Sequence, residues 1–282
     1  MIILLLFYMS IYGNWFNENI SVNTYPYNHV VINDFLNYNY YNSLIYSLPN
    51  KVNDDFWYYC NPVEVKYVLD KKDKISKEVN ILINYLSSDT FVNKLKSIFD
   101  INDISADNTL HGSGIHYYPR NGRLNMHLDY EKHPILKNKQ RRLNIIFYLN
   151  DVWCNKWNGA TELWDDKMTK CIYKYYPEKN KAIIFETSEM SWHGVPEIIK
   201  CHEGMYRKTL ALYYISPLKS NSTKKKLGAD EDGFRKKAVF VKRPFDKYDE
   251  RMEKLYKIRP FRRITNEDMN EIWPEWSINN II

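Results

Sequence analysis

Between residues 75 and 99 the apolar positions recur at helical spacing. Ile75, Val79, Leu82, Ile83 and Leu86 form one stripe, and Phe91, Val92, Leu95, Ile98 and Phe99 form another. The pattern predicts two amphipathic helices broken near Ser87 and Ser88. Stripes of this kind are core. Upstream, YPYNHVVINDFL at residues 25–36 predicts a strand running into a helix start, with Asn33 or Asp34 as the cap. From about residue 110 the texture changes to short alternating runs: GIHYYP, a turn at Arg120-Asn121-Gly122-Arg123, then LNMHLDY. LNIIFYLN (143–150), ATELWD (160–165), CIYKYYP (171–177), KAIIFE (181–186) and TLALYYIS (209–216) follow. Short strands after a helical preamble predict a sandwich or barrel buttressed by helices. Beyond Pro217, KSNSTKKK reads as a linker, followed by a helix over 246–257 and a WPEW tail.

Composition narrows this picture only a little. With 282 residues, 44% hydrophobic and 26% charged, the chain has room for one sizeable core and does not resemble a disordered or fibrous protein. Charge is uneven: Lys219 to Arg263 holds 16 Lys/Arg against 7 Asp/Glu, while the whole chain carries +6. Such a stretch reads as a solvated extension, or as a surface for an acidic partner or nucleic acid. Cys60, Cys154, Cys171 and Cys201 form no CxxC pair, which excludes a zinc ribbon and a disulfide framework. The opening MIILLLFYMSIYGNWF is short for a membrane span and lacks preceding Lys or Arg. A signal, an anchor and a buried first strand all stay open for it. The default expectation is cytoplasmic, with the secretory pathway as the alternative. The sequons at Asn19 and Asn221 matter only in that second case.

The chemistry gathers around His127-Leu128-Asp129. On a strand, residues i and i+2 share a face, so the imidazole and the carboxylate emerge together while Leu128 points away. His193, in SWHGVPE after the apolar run KAIIFE, adds a third ligand type. Two His and one carboxylate on one side of an octahedron leave positions open, a donor set that suits iron(II). Arg207 and Thr209 share a strand face fourteen residues further on, where a planar guanidinium could grip a carboxylate and a hydroxyl could assist. Lys208 should face away. Among the other histidines, His29 reads as structural, His111 and His116 as polar residues near the pocket, and His133 and His202 as exposed. Trp153, Trp157 and Trp164 read as core or pocket wall, and Asn144 as a residue facing the pocket.

These residues stand in phrases that resemble a known family. Residues 25–216, through YPYNHVVINDFL, GIHYYPRNGRLNMHLDY, RRLNIIFYLN, GATELWD, SWHGVPE and RKTLALYY, resemble the 2-oxoglutarate/Fe(II) dioxygenases of the prolyl 4-hydroxylase-like group. The resemblance implies a double-stranded β-helix, a jelly roll of the cupin type, with flanking N-terminal α-helices. It implies iron(II) on His127, Asp129 and His193. It places the far carboxylate of 2-oxoglutarate on Arg207, with Thr209 in support and Tyr118 nearby. In that chemistry O2 and 2-oxoglutarate give succinate and carbon dioxide while a substrate C–H is hydroxylated, with ascorbate as an expected accessory. Two departures are visible: collagen-type prolyl 4-hydroxylases usually carry Lys, closer to the distal His, where this sequence has Arg207, and the basic C-terminal extension has no counterpart in the family.

The sequence therefore predicts an apolar segment (1–24), a dioxygenase domain (25–218) and a basic C-terminal extension (219–282) outside the chemistry. A protein or peptide side chain such as proline is the first substrate expected. A small molecule or glycan comes next, and a nucleic-acid base is third. Two rival classes stay on the page: a zinc hydrolase, which would have no need of Arg207, and a non-catalytic cupin-like binding module.

Overall fold

Alternation along two neighbouring strands sets the architecture of this computed structural model, which describes residues 11, 13–219, 226–229 and 231–277. The apolar run at 1–10, most of the linker and the Asn221 sequon lie outside the described residues. In chain order the strands are β1 His29–Ile32, β2 Trp57–Cys60, β3 Glu64–Leu69, β4 Ser105–Ala106, β5 Gly114–Tyr118 and β6 Arg123–Leu128. They continue with β7 Lys139–Tyr148, β8 Thr161–Trp164, β9 Cys171–Tyr175, β10 Ala182–Glu186, β11 His193–Val195, β12 Arg207–Pro217 and β13 Val239–Phe240. All pairings are antiparallel, in the order β1-β10-β7-β12-β5-β3-β6-β11-β8-β9, with β2 beside β3, β4 beside β12 and β13 beside β6. The fold is mainly β, a curled sheet of the jelly-roll kind.

On β7 and β12 the odd and even positions have different fates. Leu143, Ile145, Phe147, Leu210, Leu212 and Tyr214 point outward into the main core, where three helices cover them. Asn144, Ile146, Arg207, Thr209, Ala211 and Tyr213 point inward and line a cavity. The helices are α1 Tyr38–Ser47, α2 Lys77–Leu86 and α3 Asp89–Phe99. Leu82, Leu86, Phe91 and Leu95 are fully buried from them, each worth roughly 1.5–3 kcal/mol of hydrophobic burial.

The break between α2 and α3 falls where the two serines stand. Ser88 caps α3 by accepting from the Phe91 amide, while Ser76 caps α2 by accepting from Val79. The first helix starts later than the sequence predicts. Asp34 takes a left-handed backbone (φ 47°) and the cap is Asn37, whose side chain accepts from the Asn39 amide.

The stretch beyond residue 218 is not a detached extension. β13 pairs with β6, and α4 (Glu250–Ile258) and α5 (Asn266–Ile272) follow it. Leu255 and Tyr256 pack with Val63 and Phe240 into a separate small core, and Arg259 reaches Glu64 at 2.7 Å. High average charge hides these few apolar anchors in the sequence. At the other end, Trp15 stacks on Phe35 and donates to its carbonyl at 2.7 Å, so residues 13–24 also lie against the domain. Among the described residues no helix is long and apolar enough to cross a membrane, and all four cysteines are free.

A candidate metal centre and a buried anion pocket

β6 carries His127 inward while Met126 and Leu128 pack outward against Trp164, Met168 and Trp192. β11 runs antiparallel beside it and sets His193 directly opposite His127. That approach is close enough to require Gly194, where a Cβ would sit 2.8 Å from the Leu124 carbonyl oxygen. Asp129, just past the end of β6, brings its carboxylate oxygens to 3.8 Å from His127 Nε2 and 3.4 Å from His193 Nε2. One ligand atom each from His127, Asp129 and His193 lies within 4.8 Å of the others, the arrangement a single ion needs.

Hydrogen bonds fix which nitrogen each ring presents. His127 Nδ1 lies 2.9 Å from the Asn125 carbonyl and His193 Nδ1 lies 2.8 Å from the Ser191 carbonyl. A carbonyl oxygen only accepts, so each Nδ1 carries the proton and each Nε2 keeps its lone pair for a ligand. Burial, then the neighbouring His193, brings the His127 imidazole down to about 3; burial lowers His193 as well. Both rings are neutral, as metal ligation requires.

The carboxylate is held from behind. Arg141 Nη1 stands 2.7 Å from Asp129 Oδ1, and Asn144 donates to Oδ2 at 2.6 Å. Burial would raise the Asp129 carboxyl, but the Arg141 guanidinium, helped by the Asn144 hydrogen bond, outweighs it and keeps the group ionised. Arg141 is itself clamped between the rings of Tyr130 and Tyr213, 3.8 and 3.4 Å from their centroids. Strict alternation from Asn144 would turn Arg142, not Arg141, inward. The register slips between Tyr214 and Ile215, leaving Arg142 as the extra residue of a bulge. That bulge re-aims Arg141 into the site, which is why the sequence did not reveal it.

Deeper in the barrel, Arg207 is 1% exposed and no carboxylate pairs with it among the described residues. Its Nε donates to the Gly159 carbonyl at 2.7 Å and its Nη2 to Thr161 Oγ1 at 2.8 Å. The Tyr118 and Tyr148 rings flank it, at 4.9 and 5.3 Å. Tyr148 donates to Thr161 Oγ1 or to the Tyr175 carbonyl, at 2.8 and 2.7 Å. Thr209 shares the inward face. A buried cation without a counter-ion is costly unless an anion arrives. Lys208 faces the other way, half-buried with its ammonium over the Tyr117 ring.

The structure thus brings His127, Asp129, His193, Arg207, Thr209, Tyr118 and Asn144 around one cavity of about 160 Å³. His111 and His116 also line it, and the buried Nε2 of His116 has no hydrogen-bond partner. His29 is structural, bonded to the Tyr27 carbonyl and Tyr175. His133 departs from its expected exposure. It is 4% exposed, with Nε2 3.0 Å from Asp107 Oδ2, because its loop folds back under β7. His202 is exposed beside Trp157. Trp164 is core, and Trp153 and Trp157 pack on the cluster around Ile199. Arg141, Tyr148, Thr161, Lys66 and Phe240 belong to the site and were not foreseen. Tyr148 could have been found by counting in twos from Asn144.

A match in sequence now joins the geometry. Residues 113–215, from β5 through most of β12, match the model of the 2OG-Fe(II) oxygenase superfamily. Only this stretch of the chain is matched. The matched stretch contains all six residues singled out in the sequence for metal and co-substrate. No curated protein matches the chain. Among solved structures it is similar to a prolyl 4-hydroxylase from Phytophthora capsici, at 18% identity and a TM-score of 0.46, over 72% of this chain and 62% of that one. It is also similar to a Trichoplax adhaerens prolyl hydroxylase in complex with a hypoxia inducible factor peptide fragment, at 15% identity and 0.47, over 75% and 90%. A viral collagen prolyl hydroxylase from Paramecium bursaria Chlorella virus-1 gives 14% and 0.43, over 67% and 96%. The chain thus spans less than two thirds of the length of the Phytophthora protein.

Proposed function

We propose that the protein is an iron(II)- and 2-oxoglutarate-dependent hydroxylase of a protein side chain such as proline. The carrying observation is the buried Arg207 without a counter-ion, set in the same cavity as the converging His127, Asp129 and His193. A zinc hydrolase would have no use for that cation.

His127 and His193 would offer Nε2, and Asp129 an oxygen, to iron(II). Arg207 would take the far carboxylate of 2-oxoglutarate, with Thr209 and Tyr118 beside it. When bound, these groups supply the oxidising chemistry: O2 and 2-oxoglutarate become succinate and carbon dioxide, and one oxygen enters a substrate C–H bond. The chain's own part is to orient and shelter. Carbonyls fix the ring tautomers, Arg141 and Asn144 keep Asp129 ionised and aimed, and the inward faces of β7 and β12 wall the inner pocket. A cavity of about 160 Å³ lies below the usual volume of small-molecule pockets. It suits a side chain inserted from a larger partner, which ranks a free glycan or small molecule second.

The test is succinate formation from 2-oxoglutarate with iron(II) and O2, with and without ascorbate, by wild type and by Asp129→Ala. Mass spectrometry of co-expressed peptides would then locate the added oxygen. Equal turnover by both proteins would end this reading.

A further inference from the structure

We propose that the polypeptide entering the site is acidic, its carboxylates meeting a cationic rim built jointly by β3 and the C-terminal segment. The inference rests on the hydroxylase reading above and adds the charge class of the substrate.

Lys66 from β3 and Lys237, Arg259 and Arg263 from the C-terminal segment line the cavity, Arg263 exposed, Lys66 and Lys237 half-buried and Arg259 buried. The carboxylates in that lining are Asp129, at the metal centre, and Glu64. Glu64 is already engaged by Arg259 at 2.7 Å and Lys66 at 3.5 Å. Lys237 and Arg263 pair with no carboxylate among the described residues. Burial, then Arg263 and Arg259, push the Lys237 ammonium down, and His111 is lowered by burial, then by His133, Lys237, Arg141 and Arg263. Crowding of like charges at a cavity mouth is unfavourable until an anion enters, and it steers anions inward.

A polypeptide fits the neighbouring surface. β2 pairs with β3 alone among the described strands, so no described strand occupies its other edge, where an extended backbone could add. Its Tyr59 lines the cavity, with Lys66 and Arg263 each 5.3 Å from the ring centroid. Trp57 and Tyr58 follow along the same strand, 51% and 45% exposed. Exposed aromatics among cations also suit single-stranded nucleic acid. The small cavity favours a side chain over an unstacked nucleotide, and the experiment separates the two.

Full-length protein is loaded anaerobically with iron(II) and 2-oxoglutarate. Anisotropy then follows binding of three labelled probes: an alternating Glu-Pro peptide of twelve residues, its Lys-Pro counterpart, and a twelve-nucleotide oligothymidylate. The Glu-Pro peptide should bind about tenfold or more tighter than the Lys-Pro peptide, and more weakly as salt rises. The Lys237→Glu/Arg263→Glu protein should lose that preference, as should the milder Lys237→Gln/Arg263→Gln protein in part. Equal binding of the two peptides by wild type overturns the proposal, as does tighter binding of the oligonucleotide or an unchanged preference in folded double variants. A separate titration of 2-oxoglutarate on wild type tests the hydroxylase reading alone. Failure there leaves a measured peptide preference standing, and success there does not rescue a missing one.

Discussion

The ring of Phe240 lies stacked on that of His127, centroids 5.1 Å apart and planes 23° from parallel. The contact follows from pairing: in the β13–β6 ladder Phe240 stands opposite His127. A residue from the basic C-terminal stretch therefore braces a candidate metal ligand. Arg235 adds a second tie, donating to the Asp129 carbonyl at 3.2 Å.

Removing that brace should loosen the metal. Phe240→Ala should lower iron(II) affinity about 10- to 100-fold, the usual range for groups that orient a ligand. It should also cost about 3–5 kcal/mol of stability, while Phe240→Leu should restore much of the stability. Truncation after Lys219 should abolish tight iron binding. Anaerobic iron titration checks the affinities and urea unfolding the stabilities, and wild-type affinity in the soluble truncated protein would show that the segment is dispensable.

Arg141 should matter for the metal without touching it. Arg141→Gln leaves the Asp129 carboxylate with the Asn144 amide alone as a close donor, and iron(II) affinity should fall about 10- to 100-fold. The same titration on this variant decides the point. An unchanged affinity would mean that the guanidinium serves only packing between Tyr130 and Tyr213.

Neighbours on β12 should behave differently toward 2-oxoglutarate. Arg207→Gln removes a buried charge-assisted pair, and affinity should fall roughly 30- to 1000-fold. Lys208→Gln, on the far side against Tyr117, should change it by less than about threefold. Titrating 2-oxoglutarate anaerobically with iron present reads both. The reverse ranking would place the pocket on the wrong face of the strand.

Glu64 supplies a pH-dependent term. Burial would raise its carboxyl, but Arg259 and Lys66 hold it at about 2, below its ordinary 4.5. A depressed folded value means stability fully present above about 4.5 and lost as pH falls toward 2. Glu64→Gln should cost about 3–5 kcal/mol at neutral pH by leaving Arg259 unpaired. The gap between wild type and variant should narrow steadily below pH 4.5. Urea midpoints at pH 7 and pH 3 test this, and a gap that does not change would remove Glu64 from the account.

What the sequence disclosed follows from periodicity. His127 and Asp129 stand two apart, and Arg207 and Thr209 two apart, so a period of two put each pair on one face. The buried apolar stripe of α2 and α3 was as plain. Arg141 was hidden because the bulge at Arg142 breaks that period. The role of Phe240 was hidden because β13 spans only Val239–Phe240 inside a strongly basic stretch. His133 looked exposed because nothing local signals its partner, Asp107, 26 residues earlier.

Iron content tests the central claim most directly. After anaerobic dialysis against iron(II), wild type should hold one iron per chain, and His127→Ala, Asp129→Ala and His193→Ala should each hold far less while remaining folded. One iron per chain in folded His193→Ala would contradict the assignment, because the ion would then sit somewhere other than between these three side chains.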